Sequence, residues 1–100
     1  MILIRDIFQA QFGKAGEIVE LMKQGPSMGM GGRVLTDLSG PYDTVVIEQE
    51  VESIDEYFRR MREMFAQMEQ EEPSDAMRAM SEMIVSGRRE IFTIETELQG

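Results

Sequence analysis

Three polar side chains interrupt otherwise apolar patterns and are the best candidates for chemistry. Asp6 shares one side of an alternating N-terminal segment with Ile4 and Phe8, Gln49 interrupts a run of valine and isoleucine, and Tyr57 lies on an apolar helical stripe. A polar group in an apolar layer must be hydrogen-bonded or it costs stability. The three are therefore either a structural network or the polar contacts of a ligand pocket, in which Asp6 would be a candidate general base toward an acidic C–H or a phenol.

Missing residue types exclude most familiar catalytic sites. The chain has no His, no Cys and no Trp. Ser-His-Asp and Cys-His nucleophilic sites, zinc sites built on His or Cys, and His- or Cys-ligated haem all need one of these residues. Glu48, Glu50 and Glu52 alternate on one predicted strand face, but side chains in line along a strand do not converge on a single metal ion. We therefore predict neither a metal nor a cofactor.

Charge and hydropathy limit the partners. The net charge is −9, which repels the phosphate backbone that dominates nucleic-acid affinity. No apolar run approaches the ~20 residues of a membrane-spanning helix, and the N-terminus does not resemble a signal peptide. We expect one domain over residues 1–100, a cytoplasmic location, and neither nucleic acid nor membrane as a partner.

Arginines cluster on two stretches of the chain, with glutamates among them. Arg59, Arg60 and Arg62 form one cluster, and Arg88 and Arg89 form the other. Mixed signs at this spacing usually mark a solvated surface, so this interpretation is favoured over an anion-binding patch.

Hydrophobic periodicity predicts four strands and three helices. A strand over residues 2–10 precedes a helix over Lys14–Gln24, and Ser53 with Glu56 forms a capping box for a long helix that ends near Met68 or Gln70. The remaining predictions are strands over Arg33–Leu38 and Thr44–Glu52 joined by Ser39–Asp43, a helix from Ser74 to near Gly87, and a strand over Glu90–Leu98.

A glycine-rich segment, Gly25–Gly32, separates the first helix from the second strand. It lacks the Gly-x-x-x-x-Gly-Lys-Ser/Thr pattern of a phosphate loop, and no strand immediately precedes it. A flexible connector or lid is favoured over an anion cradle, with Arg33 as the residue that keeps the second interpretation open.

The order of elements predicts an α+β, ferredoxin-like βαββ(αα)β fold with an antiparallel sheet and helices on one face. Arg5 would then meet Glu48 or Glu50 and Glu95 across neighbouring strands. The uncovered face would hold Leu3, Ile7, Val46 and Ile91, which favours sheet-to-sheet pairing in a homodimer. The helix-facing side would hold Ile4, Phe8, Val45, Ile47, Val51, Phe92, Ile94 and Leu98.

The chain resembles the dimeric α+β barrel superfamily, in particular its antibiotic-biosynthesis-monooxygenase-like and NIPSNAP-like members. The resemblance rests on the strand Met1–Arg5, the Gly13-Lys14 step before Glu17, the middle hairpin and the Ser-capped helix with Tyr57-Phe58. It implies a homodimer with a ligand pocket between each sheet and its own helices. Members include cofactor-independent oxygenases of quinones and haem-degrading enzymes, but the His and Trp side chains of their sites have no counterpart here.

These observations predict a homodimeric small-molecule-binding protein whose ligand is apolar or aromatic. One alternative is a cofactor-independent monooxygenase-like enzyme acting on an aromatic or quinone-type substrate, and another is a structural dimer without a ligand. The predicted ligand-binding residues are Asp6, Phe8, Arg33, Gln49 and Tyr57.

Overall fold

The computed structural model describes residues 1–24, 32–70 and 75–100. Its elements are β1 (Ile2–Ala10), α1 (Ala15–Gln24), β2 (Arg33–Thr36), β3 (Thr44–Val51), α2 (Ile54–Gln70), α3 (Asp75–Met83) and β4 (Ile84–Thr93). The predicted connector over residues 25–31 and the predicted N-cap Ser74 lie outside the described residues.

The four strands form one antiparallel sheet in the order β2-β3-β1-β4. This is the predicted α+β, ferredoxin-like fold, with the helices on one side of the sheet. No helix in the described residues is long and apolar enough to cross a membrane.

Local side-chain hydrogen bonds set several element ends. The Ser53 hydroxyl accepts the Glu56 N–H at 3.2 Å, which begins α2 as the capping box predicts. The Asp43 carboxylate accepts the N–H groups of Gly13 at 2.7 Å and Ala15 at 3.2 Å, which satisfies free donors at the start of α1.

β2 ends two residues before its predicted end, at Thr36. The carboxylate of the next residue, Asp37, accepts the Thr44 N–H at 3.0 Å. This bond closes the turn that leads into β3 and ends the strand early.

The predicted bounds of the last strand are wrong. β4 follows α3 without a loop, and its residues Ile84–Thr93 pair along the whole of β1. The first residue of β1, Ile2, pairs with Thr93, and the N–H of Ile94 donates to the carbonyl of Met1 at 3.0 Å. The alternation that predicted a strand as far as Leu98 has no neighbouring strand to pair with, so residues 94–100 form neither strand nor helix.

This shift also corrects the assignment of the two sheet faces. Ile91 lies opposite Ile4 on the helix-facing side, and Phe92 lies opposite Leu3 on the open face. The sequence predicted the reverse for Ile91 and Phe92. A strand alternates with period two, so an error of one residue in its phase exchanges the faces of all its side chains.

The core consists of two hydrophobic clusters on the helix-facing side. One joins Ile4 and Val51 to Tyr57 and Met61 of α2. The other lies toward the opposite end of the sheet and joins Ala10, Ala15, Ile18 and Val45, with Met80 and Met83 of α3 packed against it. Asp6 lies on β1 between Ile4 and Ala10, that is, between the two clusters.

Five charged residues cross all four strands on the open face and are named here the arginine–glutamate ladder. In spatial order they are Arg33, Glu48, Arg5, Glu90 and Arg88. The N···O distances are 2.6 Å from Arg33 to Glu48, 2.9 Å from Arg5 to Glu48, 3.5 Å from Arg5 to Glu90 and 3.3 Å from Arg88 to Glu90. The predicted cross-strand ladder therefore exists with Glu48, and Glu90 takes the place that was predicted for Glu95.

Candidate functional site

An ion pair between β1 and β4 lies under the helices. Asp6 is directly opposite Arg89, and the Arg89 Nε donates to Asp6 Oδ1 at 2.6 Å. These two are the charged side chains among the strand residues on the helix-facing side. The pair places a partly buried cation and anion inside a layer that is otherwise mainly apolar.

Tyr57 of α2 packs against this pair. Its side chain is fully buried, and the guanidinium carbon of Arg89 lies 5.5 Å from the centroid of its ring. This distance is that of a cation–π contact. Asp6, Tyr57 and Arg89 therefore form one polar cluster, held from two strands and one helix.

The electrostatic surroundings keep the Tyr57 phenol and the Arg89 guanidinium protonated. Burial raises the pKa of the Tyr57 phenol, the negative charge of Asp6 raises it further, and Arg89 lowers it. Burial by itself lowers the pKa of Arg89, but its hydrogen bond and charge interaction with Asp6, and its interaction with Tyr57, leave that pKa above its ordinary value. At neutral pH the cluster therefore offers a phenolic O–H and a guanidinium.

Two polar atoms on this side of the sheet are buried and make no hydrogen bond with the described residues. They are the Tyr57 hydroxyl and the Oε1 atom of Gln49. Gln49 lies directly opposite Ile4, one of the residues that pack with Tyr57. A buried polar atom without a partner costs about 1–3 kcal/mol, and most proteins avoid it.

Phe8 lies on the same side of the sheet, two residues beyond Asp6. It is opposite Val45 on one neighbouring strand and Gly87 on the other. A Cβ at position 87 would lie 3.0 Å from the Phe8 ring, so the absence of a side chain at Gly87 leaves room for this ring. Phe8 thus borders the polar cluster with an aromatic surface.

Arg33 is placed differently from the other predicted ligand-binding residues. Its guanidinium belongs to the ladder on the open face, where its Nε donates to Glu48 at 2.7 Å. Arg33 and Gln49 both border a cleft of about 390 Å³ at the β2 edge, but Arg33 does not join Asp6 and Tyr57. The ion pair with Glu48 indicates a structural role for Arg33.

Sequence reasoning missed Arg89, which was interpreted as part of a solvated surface. That interpretation followed from beginning the last strand at Glu90. The β-branched pair Ile84-Val85 was a signal for an earlier start. With that start, the opposite charges of Asp6 and Arg89 fall across from each other, as cross-strand pairs do.

The geometry favours binding over acid–base catalysis. The carboxylate of Asp6 already accepts a short hydrogen bond from Arg89, which would have to be given up before Asp6 could accept a substrate proton. In the part of the chain that the structure describes, no three acidic side chains are grouped so that they could hold a metal ion. What the cluster offers a ligand is the Tyr57 hydroxyl and the Arg89 guanidinium beside apolar side chains.

No protein-family model and no curated protein matches this sequence. Solved structures do match. A NIPSNAP domain protein from Burkholderia xenovorans is 12% identical, with a TM-score of 0.77 and all of both chains covered. A putative antibiotic biosynthesis monooxygenase from Chloroflexus aurantiacus is 16% identical, with a TM-score of 0.62 over 99% of this chain and 96% of its own.

A mutant of MhuD, whose structure has two manganese protoporphyrin IX molecules bound per active site, is 9% identical, with a TM-score of 0.73 and all of both chains covered. These matches confirm the resemblance to NIPSNAP and monooxygenase-like proteins at the level of the fold. MhuD, which is similar to this chain in fold, binds manganese protoporphyrin IX in its active site.

Proposed function

We propose that this protein binds an apolar or aromatic small molecule between its sheet and its helices, at the cluster formed by Asp6, Tyr57 and Arg89. The proposal depends on two buried polar atoms, the Tyr57 hydroxyl and Gln49 Oε1, that have no hydrogen-bond partner among the described residues. A ligand that contacts both would recover hydrogen bonds that the protein alone does not make.

The surroundings of the cluster suit an apolar ligand body. Ile4, Val51 and Met61 pack with Tyr57, and Phe8 lies on the same side of the sheet as Asp6. Methionine is flexible and polarisable, so Met61 and its partly buried neighbour Met64 can adapt as a ligand enters. Fully buried Tyr57 becomes accessible only when side chains such as these move, so binding requires a local opening of this layer.

We further propose that two copies pair through their open sheet faces. Leu35 is 38% exposed and Phe92 is 46% exposed on that face, on either side of the ladder. A second copy would cover this apolar area, and the ladder would supply paired charges in the middle of the contact. Leu35→Glu is expected to shift the equilibrium from dimer to monomer in sedimentation experiments, whereas Leu38→Glu, in the loop after β2, is a control that should leave it unchanged.

Native mass spectrometry of the purified protein tests both proposals. The expected result is a dimer, and an additional mass that dissociates on activation would identify the class of the ligand. A stable monomer would contradict the sheet-to-sheet pairing. A cytoplasmic location and a single domain over residues 1–100 remain predictions, which cell fractionation and limited proteolysis test.

A further inference from the structure

We propose that the ligand carries an oxyanion, such as a carboxylate, and that Arg89 is the residue that selects it. This inference rests on the proposed binding function and adds the charge of the ligand to it. The cluster has hydrogen-bond donors that it does not use within the described residues.

Arg89 has more donors than the protein uses. A guanidinium carries five N–H groups, and the one on Nε donates to Asp6. The four on the two Nη atoms make no hydrogen bond or ion pair with the described residues. The Arg89 side chain is 40% exposed. It can therefore keep its bond to Asp6 while it offers its Nη atoms to a ligand.

The Tyr57 hydroxyl is a second hydrogen-bond donor that the described residues leave unused. This hydroxyl is protonated at neutral pH, is buried, and makes no hydrogen bond within residues 1–24, 32–70 and 75–100. The Arg89 guanidinium carbon lies 5.5 Å from the centroid of the Tyr57 ring, so the two donors belong to side chains that pack against each other. A group that accepts from both needs at least two lone pairs and gains most if it is negatively charged, which describes a carboxylate or a related oxyanion.

The other arginines of the sheet do not compete for this role. Arg5, Arg33 and Arg88 all lie on the open face, and each is within 3.5 Å of a glutamate oxygen. The long-range field of the protein does not attract anions either, because its net charge is −9. Among the arginines of the sheet, Arg89 is therefore the one placed to give a preference for an anionic ligand on the helix-facing side.

Two fluorescent probes with one ring system test this inference. N-phenyl-1-naphthylamine is neutral, and 8-anilinonaphthalene-1-sulfonate has the same rings with one sulfonate added. We expect the anionic probe to bind at least tenfold more tightly to the wild-type protein. Arg89→Gln is expected to remove that preference, so that the two probes bind this variant with affinities within about twofold of each other.

Arg88→Gln is the matched control, because it makes the same charge change at the next residue on the opposite face of the sheet. It should leave both affinities unchanged. Asp6→Asn gives a second test, since removing the counter-ion frees the guanidinium, and we expect the anionic probe to bind severalfold more tightly. If Arg89→Gln unfolds because Asp6 loses its partner, the double variant Asp6→Asn with Arg89→Gln replaces the pair with two neutral amides.

The failures of the two proposals are distinguishable. If neither probe binds to the folded wild-type protein, the proposed binding function is wrong, and this inference is wrong with it. If the neutral probe binds but the anionic probe binds no more tightly, or if Arg89→Gln and Arg88→Gln have equal effects, the inference is wrong and the binding function stands.

Discussion

The two faces of the sheet satisfy their polar groups differently. On the open face, the five members of the arginine–glutamate ladder form ion pairs with one another from edge to edge. Arg5 Nε is buried there without a hydrogen bond to the described residues, but it lies 2.9 Å from Glu48 Oε2 in an ion pair. On the helix-facing side, Asp6 and Arg89 pair, but the Tyr57 hydroxyl and Gln49 Oε1 are buried and have no hydrogen-bond partner in the part of the chain that the structure describes. Completed pairing is what a structural network shows, and unused hydrogen-bonding capacity in a buried layer is what a binding site shows. We therefore propose a structural role for the open face and ligand binding for the helix-facing side.

The largest effect on stability is expected from Glu48, at the centre of the ladder. Its side chain is almost fully buried and contacts both Arg5 and Arg33. Glu48→Gln leaves these two cations without their shared counter-ion and should lower the free energy of unfolding by about 2 kcal/mol, less than for a fully buried pair because Arg33 is largely exposed. Urea denaturation measures this loss.

Glu50→Gln is the matched control, because Glu50 is exposed, lies on the same face of β3 and makes no ion pair with the described residues. Equal losses for the two variants would mean that the ladder does not stabilise the sheet.

A smaller loss is expected on the helix-facing side from Asp6→Asn. The Asp6 side chain is mostly buried, but Arg89 reaches solvent and can be hydrated when its counter-ion is removed. The free energy of unfolding should fall by about 1 kcal/mol. A loss above that of Glu48→Gln would contradict the comparison, because the Asp6–Arg89 pair would then be the main structural pair.

The pH dependence of stability sharpens the role of Tyr57. Its pKa is raised in the folded state, so the unfolded chain ionises first as the pH passes about 10. The stabilisation is complete below that pH and is lost as the pH rises toward the folded pKa. The wild-type protein should therefore lose stability above pH 10 relative to Tyr57→Phe. Parallel curves for the two proteins would mean that the phenol is not desolvated.

The smallest effect is expected at the end of the ladder. Arg88 is exposed and contacts one glutamate at 3.3 Å. Arg88→Gln should change the free energy of unfolding by less than about 0.5 kcal/mol, as for other exposed pairs. A loss near that of Glu48→Gln would show that the ladder acts as a single unit rather than through its centre.

The parts of this fold that depend on local sequence could be predicted. β1 follows from its alternation, α2 from the Ser53 cap and its apolar stripe, and the pairing of Arg5 with Glu48 from the order of the strands. Asp6 and Tyr57 were recognised because each interrupts an apolar pattern.

The parts of the fold that depend on pairing between distant residues could not be predicted from the sequence. The two ends of β4 are set by its pairing with β1. The length of β1 cannot be read from residues 84–98, so a prediction from those residues alone misses both ends. Because the predicted strand began at Glu90, it left out Arg89, and the ion pair that completes the cluster was missed. The two charged residues of the site are 83 positions apart in the chain, so no local window of sequence contains both.

The most direct test of the binding site is to measure stability and ligand affinity together in Tyr57→Phe. If the hydroxyl is an unsatisfied buried group kept for a ligand, its removal should raise the free energy of unfolding at pH 7 by about 1 kcal/mol and weaken binding of the anionic probe severalfold. A variant that is less stable than the wild type, or that binds this probe as tightly, would show that the hydroxyl serves the fold and would contradict the assignment of ligand binding to this face.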